Sequence, residues 1–193
     1  SKLVDSALAL LFPQRLCCHG CGCMLAAGEE LLCASCRNAL DGCTLKRKDE
    51  QRQFKPEQVL AAAAYDYDGM AAELVRSLKY ASDKAAAHIL AEGMARRFAL
   101  MPQLRAAEIC VAVPSFPRQA QRRGYAQAQV LCDAFTQITG MKQAPQALRR
   151  IRYAKSQVGK SRDERKKQII GAFVFDEKQT QTVRDQCVLL IDH

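Results

Sequence analysis

The chain has no apolar run long enough to cross a bilayer. The longest near its start, Ala7 to Phe12, falls far short of the roughly 20 residues a membrane helix needs, and it carries neither a basic leader nor a small-residue cleavage site. The expectation is a soluble protein of the cytoplasm. A glycine-rich run able to cradle a phosphate is missing too, and acid is scarce, with 20 Asp and Glu against 29 Lys and Arg. The formal charge of +9 is unevenly spread, and the basic stretch Arg149 to Lys167 expects a polyanion as partner. Charge does not tell a nucleic-acid backbone from the phosphates of a small molecule.

What the chain does have is an ordinary core and an unusual front. At 193 residues and 49% hydrophobic it can hold one mid-sized α/β domain plus a small appendage. Seven of its ten cysteines lie between Cys17 and Cys43, while Cys110, Cys132 and Cys187 sit singly in apolar segments, as small core residues do. Clustered pairs of this kind point to metal in a reducing compartment more than to disulfides.

Cys18-His19-Gly20-Cys21 and Cys33-Ala34-Ser35-Cys36 form two Cys-x2-Cys turns separated by eleven residues. Tetrahedral Zn²⁺ takes four thiolates at about 2.3 Å, and a two-residue spacer aims both sulfurs of a turn at one ion. Cys18, Cys21, Cys33 and Cys36 are therefore the expected ligands of a closed, structural zinc site. The same spacing also fits unmetallated core or redox cysteines, and Cys17, Cys23, Cys43 and His19 remain as spare ligands. Residues 1–45 read as an N-terminal segment with this four-cysteine, zinc-ribbon-like module, and 46–56 as a charged linker closed by Pro56.

Residues 57–193 read as α/β. Val59 to Tyr65 fits a strand, and Asp68-Gly69 opens a helix with Ala71, Leu74, Val75 and Leu78 on one face. Ser82 or Asp83 can cap the next helix, with Ala87, Leu90, Met94 and Phe98 as its stripe. Glu108 to Val113 is a strand, Ser115 to Gly124 a loop, and a helix through Val130, Leu131, Ala134, Phe135 and Ile138 ends at Gly140. Cys187 to Ile191 reads as a buried central strand delivering Asp192. Alternating elements of this kind predict a mainly parallel sheet covered by helices, with ligands at the carboxyl ends of its strands. The loop after Val113, Asp192, and the segment Arg149 to Lys167, with nine basic residues against Asp163 and Glu164, converge on that edge.

From Val113-Pro114-Ser115-Phe116-Pro117-Arg118 through Arg122-Arg123-Gly124-Tyr125-Ala126-Gln127-Ala128 the chain resembles the ComF family of competence-associated proteins. Leu78-Lys79-Tyr80, the stretch from Ser156 to Arg165 with Gly171-Ala172-Phe173 after it, and the front cysteines are similar to that family as well. The resemblance implies a type I phosphoribosyltransferase-like domain that takes phosphoribosyl pyrophosphate with Mg²⁺. Ser115, Arg118 and backbone amides would then contact pyrophosphate, with Arg122 and Arg123 either beside them or at a solvated helix start. Ser156, Lys160 and Arg162 would belong to a mobile hood, or to an exposed basic surface, and Asp192 would hydrogen-bond a ribose hydroxyl.

In the family's motif a second acid and a Thr-Thr-Gly-like phosphate loop follow, where this chain has His193 and stops. The expectation is weak or absent binding of phosphoribosyl pyrophosphate and no catalysis by these 193 residues, through truncation, an interrupted gene or a ligand-free relative. The role implied is uptake or processing of transforming single-stranded DNA, with that DNA and an uptake helicase or other competence proteins as partners. An active phosphoribosyltransferase in a fuller form, or an inactive remnant, is the alternative. Phe116, Tyr125 and Tyr153 lie among basic residues and either stack on bases or pack.

Overall fold

In the computed structural model, which describes residues 17–45, 52–54, 59–80, 83–152, 161, 164 and 168–193, the apolar stripes become helices. Helix α1, Ala34–Gly42, buries Cys36 and Leu40. Helix α2, Gly69–Tyr80, buries Ala71, Ala72, Leu74 and Leu78. Asp83 caps helix α3, Lys84–Leu100, by accepting from the Ala85 and Ala86 amides at 2.9 and 3.3 Å. Small residues let α3 pack closely on both sides, and Phe98 meets Phe135 edge-on at 5.6 Å.

Between α1 and α2 the chain departs from expectation. Val59–Ala61 (β2) does not join the parallel sheet. It pairs antiparallel with Arg52–Phe54 (β1), inside the stretch read as a linker. The predicted strand stops at Ala61 because four consecutive alanines follow Leu60, and alanine offers a pleated surface little to pack. Tyr65 instead forms a single antiparallel bridge with Thr44, at the end of the cysteine module.

Strand β3, Ile109–Ala112, is buried along its length and stands at the centre of the sheet. It pairs in parallel with Lys142–Gln143 (β4) on one side and with Val188–Ile191 (β7) on the other. Among the described residues β7 is therefore an edge strand and not the buried central one expected. Its pleat alternates accordingly: Val188 and Leu190 are 37% and 57% exposed, while Leu189 and Ile191 face the core. An all-apolar run looks the same in sequence whether one face is covered or two.

The segment expected to be a loop after β3 contains helix α4, Pro117–Arg123. Proline at its first position and Gly124 at φ +80 as its C-cap are the signals that fix it. Helix α5, Gln127–Thr139, follows and ends at Gly140. Leu148–Arg150 (β5) and Phe173–Phe175 (β6) form an antiparallel pair, followed by helix α6, Glu177–Val183.

One apolar cluster joins Cys18, Leu32, Cys33, Cys36 and Leu40 of the cysteine module to α2, α3, α5 and the Cys110 and Ala112 face of β3. Ile109 and Val111, on the opposite face of the same strand, pack with Ala144 and Ala147. Cys110 and Cys132 face each other across the strand and helix interface, fully buried, with sulfurs 3.0 Å apart. Among the described residues no helix is long and apolar enough to cross a membrane.

Candidate metal centre and strand-end site

The two Cys-x2-Cys turns fold onto each other. In the first, the Cys18 amide donates to the Cys23 carbonyl at 2.7 Å and the Gly22 amide returns to the Cys18 carbonyl at 2.8 Å, a turn that Gly22 permits at φ +75. The His19 amide reaches the Leu31 carbonyl at 2.8 Å, which brings the second turn alongside. Glycine is required at position 20, since a Cβ there would lie 2.8 Å from the Cys36 sulfur. Glu29 accepts from the Ala26 and Ala34 amides, and these bonds hold its carboxyl below the usual range while tying the turn to the start of α1.

Cys18, Cys21, Cys33 and Cys36 gather so that all four sulfurs lie within 4.8 Å of one another, and Cys21 and Cys33 are 3.7 Å apart. A tetrahedron with metal–sulfur bonds of about 2.3 Å has edges of about 3.8 Å. The group can hold a metal ion such as zinc, and three of its four cysteines are buried.

The thiols are not equivalent. Burial pushes Cys18 up, but amide hydrogen bonds from Cys33, Cys21 and Gly20 outweigh it and bring the thiol to about 6. The Cys23 amide and neighbouring thiols lower Cys21 as well. Cys36 is raised, first by burial and then by the sulfurs around it, so it keeps a proton that a metal must displace. Cys23 is pushed up to about 12 by its contacts with Cys21 and Cys33 and lies outside the four-sulfur group.

The other spares are accounted for differently. Cys43 donates to the carbonyls of Ala39 and Asp68 at 3.3 and 3.4 Å, joining α1 to the start of α2. His19 turns away from the sulfurs, its Nδ1 lying 3.0 Å from Asp83 Oδ2. Cys17 bridges to Met24 and is exposed.

The second set of expected residues lies at the carboxyl edge of the sheet. Parallel pairing aligns Ala112 with Ile191, and the Val113 amide donates to the Ile191 carbonyl at 2.9 Å. The two strands therefore leave the sheet side by side, with the Ser115 loop continuing from one and Asp192 from the other. Ser115 is half-buried, Arg118 is exposed on the first turn of α4, and Asp192 is exposed with His193 Nδ1 at 3.5 Å. Arg122 and Arg123 fall on the last turn of α4, and their side chains lie outside the described ones. Ser156, Lys160, Arg162 and Tyr153 lie outside the described residues.

Three residues matter more than their motifs suggested. The Tyr125 hydroxyl donates to the Leu78 carbonyl while its ring packs on the core, so it acts as a fastener where base stacking had been one expectation. Gln127, the first residue of α5, is fully buried, and its carboxamide has no hydrogen-bond partner among the described residues. Asp83, legible as a helix cap, also receives Ser77 and His19. Position inside a family-like motif was the only sign for the first two, and no sequence signal marks the extra contacts of the third. No protein-family model, curated protein or solved structure matches the chain.

Proposed function

We propose that the chain is a ComF-like protein in which a structural zinc module supports a type I phosphoribosyltransferase-like domain. In a fuller form its ligand is of the phosphoribosyl pyrophosphate class, bound with Mg²⁺ at the carboxyl edge of the parallel sheet, while these 193 residues hold it weakly. The observation that carries the reading is the pairing of β3 with β7, which sets the Ser115 loop, leading to Arg118 at the start of α4, beside the strand that leads into Asp192. Hydroxyl, guanidinium and backbone amides on one side and a carboxylate on the other suit a phosphorylated sugar whose hydroxyls need an acceptor. The all-thiolate donor set and its near-tetrahedral edge favour zinc, with a folding role and no open coordination position. The role proposed is handling of transforming single-stranded DNA, supported by the family-like motifs and the charge of +9.

Calorimetric titration with inorganic pyrophosphate and with phosphoribosyl pyrophosphate in Mg²⁺ tests the ligand. Weak but saturable binding is expected of these 193 residues, weakened further, at least about tenfold, in Arg118→Ala with metal content unchanged. Absence of binding to both anions removes the reading. For the DNA role, affinity for a single-stranded oligonucleotide should fall steeply with salt, and no affinity at low salt would count against direct contact.

A further inference from the structure

The two sites are connected by a path of hydrogen bonds that the chemistry of neither requires. His19 stands inside the first Cys-x2-Cys turn, between two of the sulfur ligands, and its Nδ1 meets Asp83 Oδ2 at 3.0 Å. The same oxygen accepts from the Ser77 hydroxyl at 3.1 Å, while Oδ1 caps α3. One carboxylate, only 16% exposed, thus binds the metal turn, the end of α2 and the start of α3. Leu78 follows Ser77 in the last turn of α2, where helix carbonyls lack partners of their own, and its carbonyl accepts the Tyr125 hydroxyl. Tyr125 lies between Gly124, which closes α4, and α5, so it anchors the far end of the loop that leaves β3.

We propose that Asp83 couples the metal centre to the strand-end loop. With the four thiols gathered, His19 is held against Asp83, the end of α2 is fixed, and Tyr125 clamps residues 113–126 in place. The two-state element is the cysteine module, whose turns a metal at the four thiols would lock together. That the loop's ligand is a pyrophosphate rests on the function proposed above; the coupling does not.

Hydrogen exchange in metal-loaded protein without ligand tests it. His19→Ala and Tyr125→Phe should each speed exchange across residues 113–126 by about tenfold, the scale of one lost hydrogen bond. The double variant should be no faster than the faster single, because both act on one path. His19→Asn, whose amide nitrogen stands about where Nδ1 does, should restore the slow rate. An unchanged loop in fully metal-loaded His19→Ala, effects that multiply in the double variant, or an Asn no better than Ala would each overturn the coupling. Should His19→Ala load incompletely, Ser77→Ala breaks the same joint away from the thiols and must give the same result. Pyrophosphate titration of the wild type then separates the two ideas: slow exchange lost in the variants with no pyrophosphate bound leaves the coupling standing and the ligand reading refuted.

Discussion

The four thiols of the candidate metal centre come from 19 consecutive residues, whereas the candidate strand-end site draws on Ser115 and Asp192 and needs two parallel strands in register to align them. The first is assembled by short turns and can be made or lost with one ion. The second is assembled by the fold and persists only while the core holds. Because a single apolar cluster runs from Cys33 and Cys36 through α2 and α3 to β3, damage to the local site should reach the distant one.

The largest effect should come from Cys36→Ser. A structural zinc site contributes on the order of 10 kcal/mol to the fold it closes. Metal content measured by atomic absorption should collapse and the melting temperature fall sharply, while Cys43→Ala, which removes the donor to two carbonyls and no ligand, should keep its metal. Equal loss in both variants would erase the distinction between ligand and spare.

A smaller effect is expected at the seam. A Cβ at Gly93 would fall 1.8 Å from the Tyr65 hydroxyl, and Tyr65 is bridged to Thr44 of the cysteine module. Gly93→Ala should therefore cost about 1–3 kcal/mol by overpacking, read as a lowered melting temperature with metal content intact. A neutral substitution would mean that the two regions touch more loosely than their shared core indicates.

The smallest effect is in pH. Cys18 is held at about 6 against an ordinary 9.0, so its favourable contribution is full above 9.0 and is lost as pH falls through about 6. Above about 6 it has no proton to surrender to a metal, while Cys36, held above its ordinary value, does. The logarithm of metal affinity against pH, from competition with a coloured chelator, should thus steepen below about 6. Arg118→Ala should leave the curve untouched, which sharpens the contrast between the two sites.

Local signals were the legible ones. The Cys-x2-Cys spacing named the four sulfurs because two intervening residues constrain both side chains at once. The stripes of α2, α3 and α5, the Asp83 cap and the Gly140 stop were readable for the same reason. Helix α4 was legible in Pro117 and Gly124 but was hidden by the loop expected around it. Pairing was not legible: nothing in Val59 to Tyr65 says that its partner is Arg52–Phe54, and nothing in Val188 to Ile191 says how many of its faces are covered. At the strand-end site the loop and Asp192 could be brought together by topology alone, but the reach of Tyr125 to Leu78 depends on the angle at which α2 meets α5.

The facing pair Cys110 and Cys132 gives the chain a built-in clock. An alkylating reagent meets Cys17 and Cys187 at the surface immediately, whereas the two core sulfurs become visible only when β3 and α5 part. Timed labelling followed by mass spectrometry therefore reads surface chemistry and the opening rate of the interior from one sample, with no probe introduced.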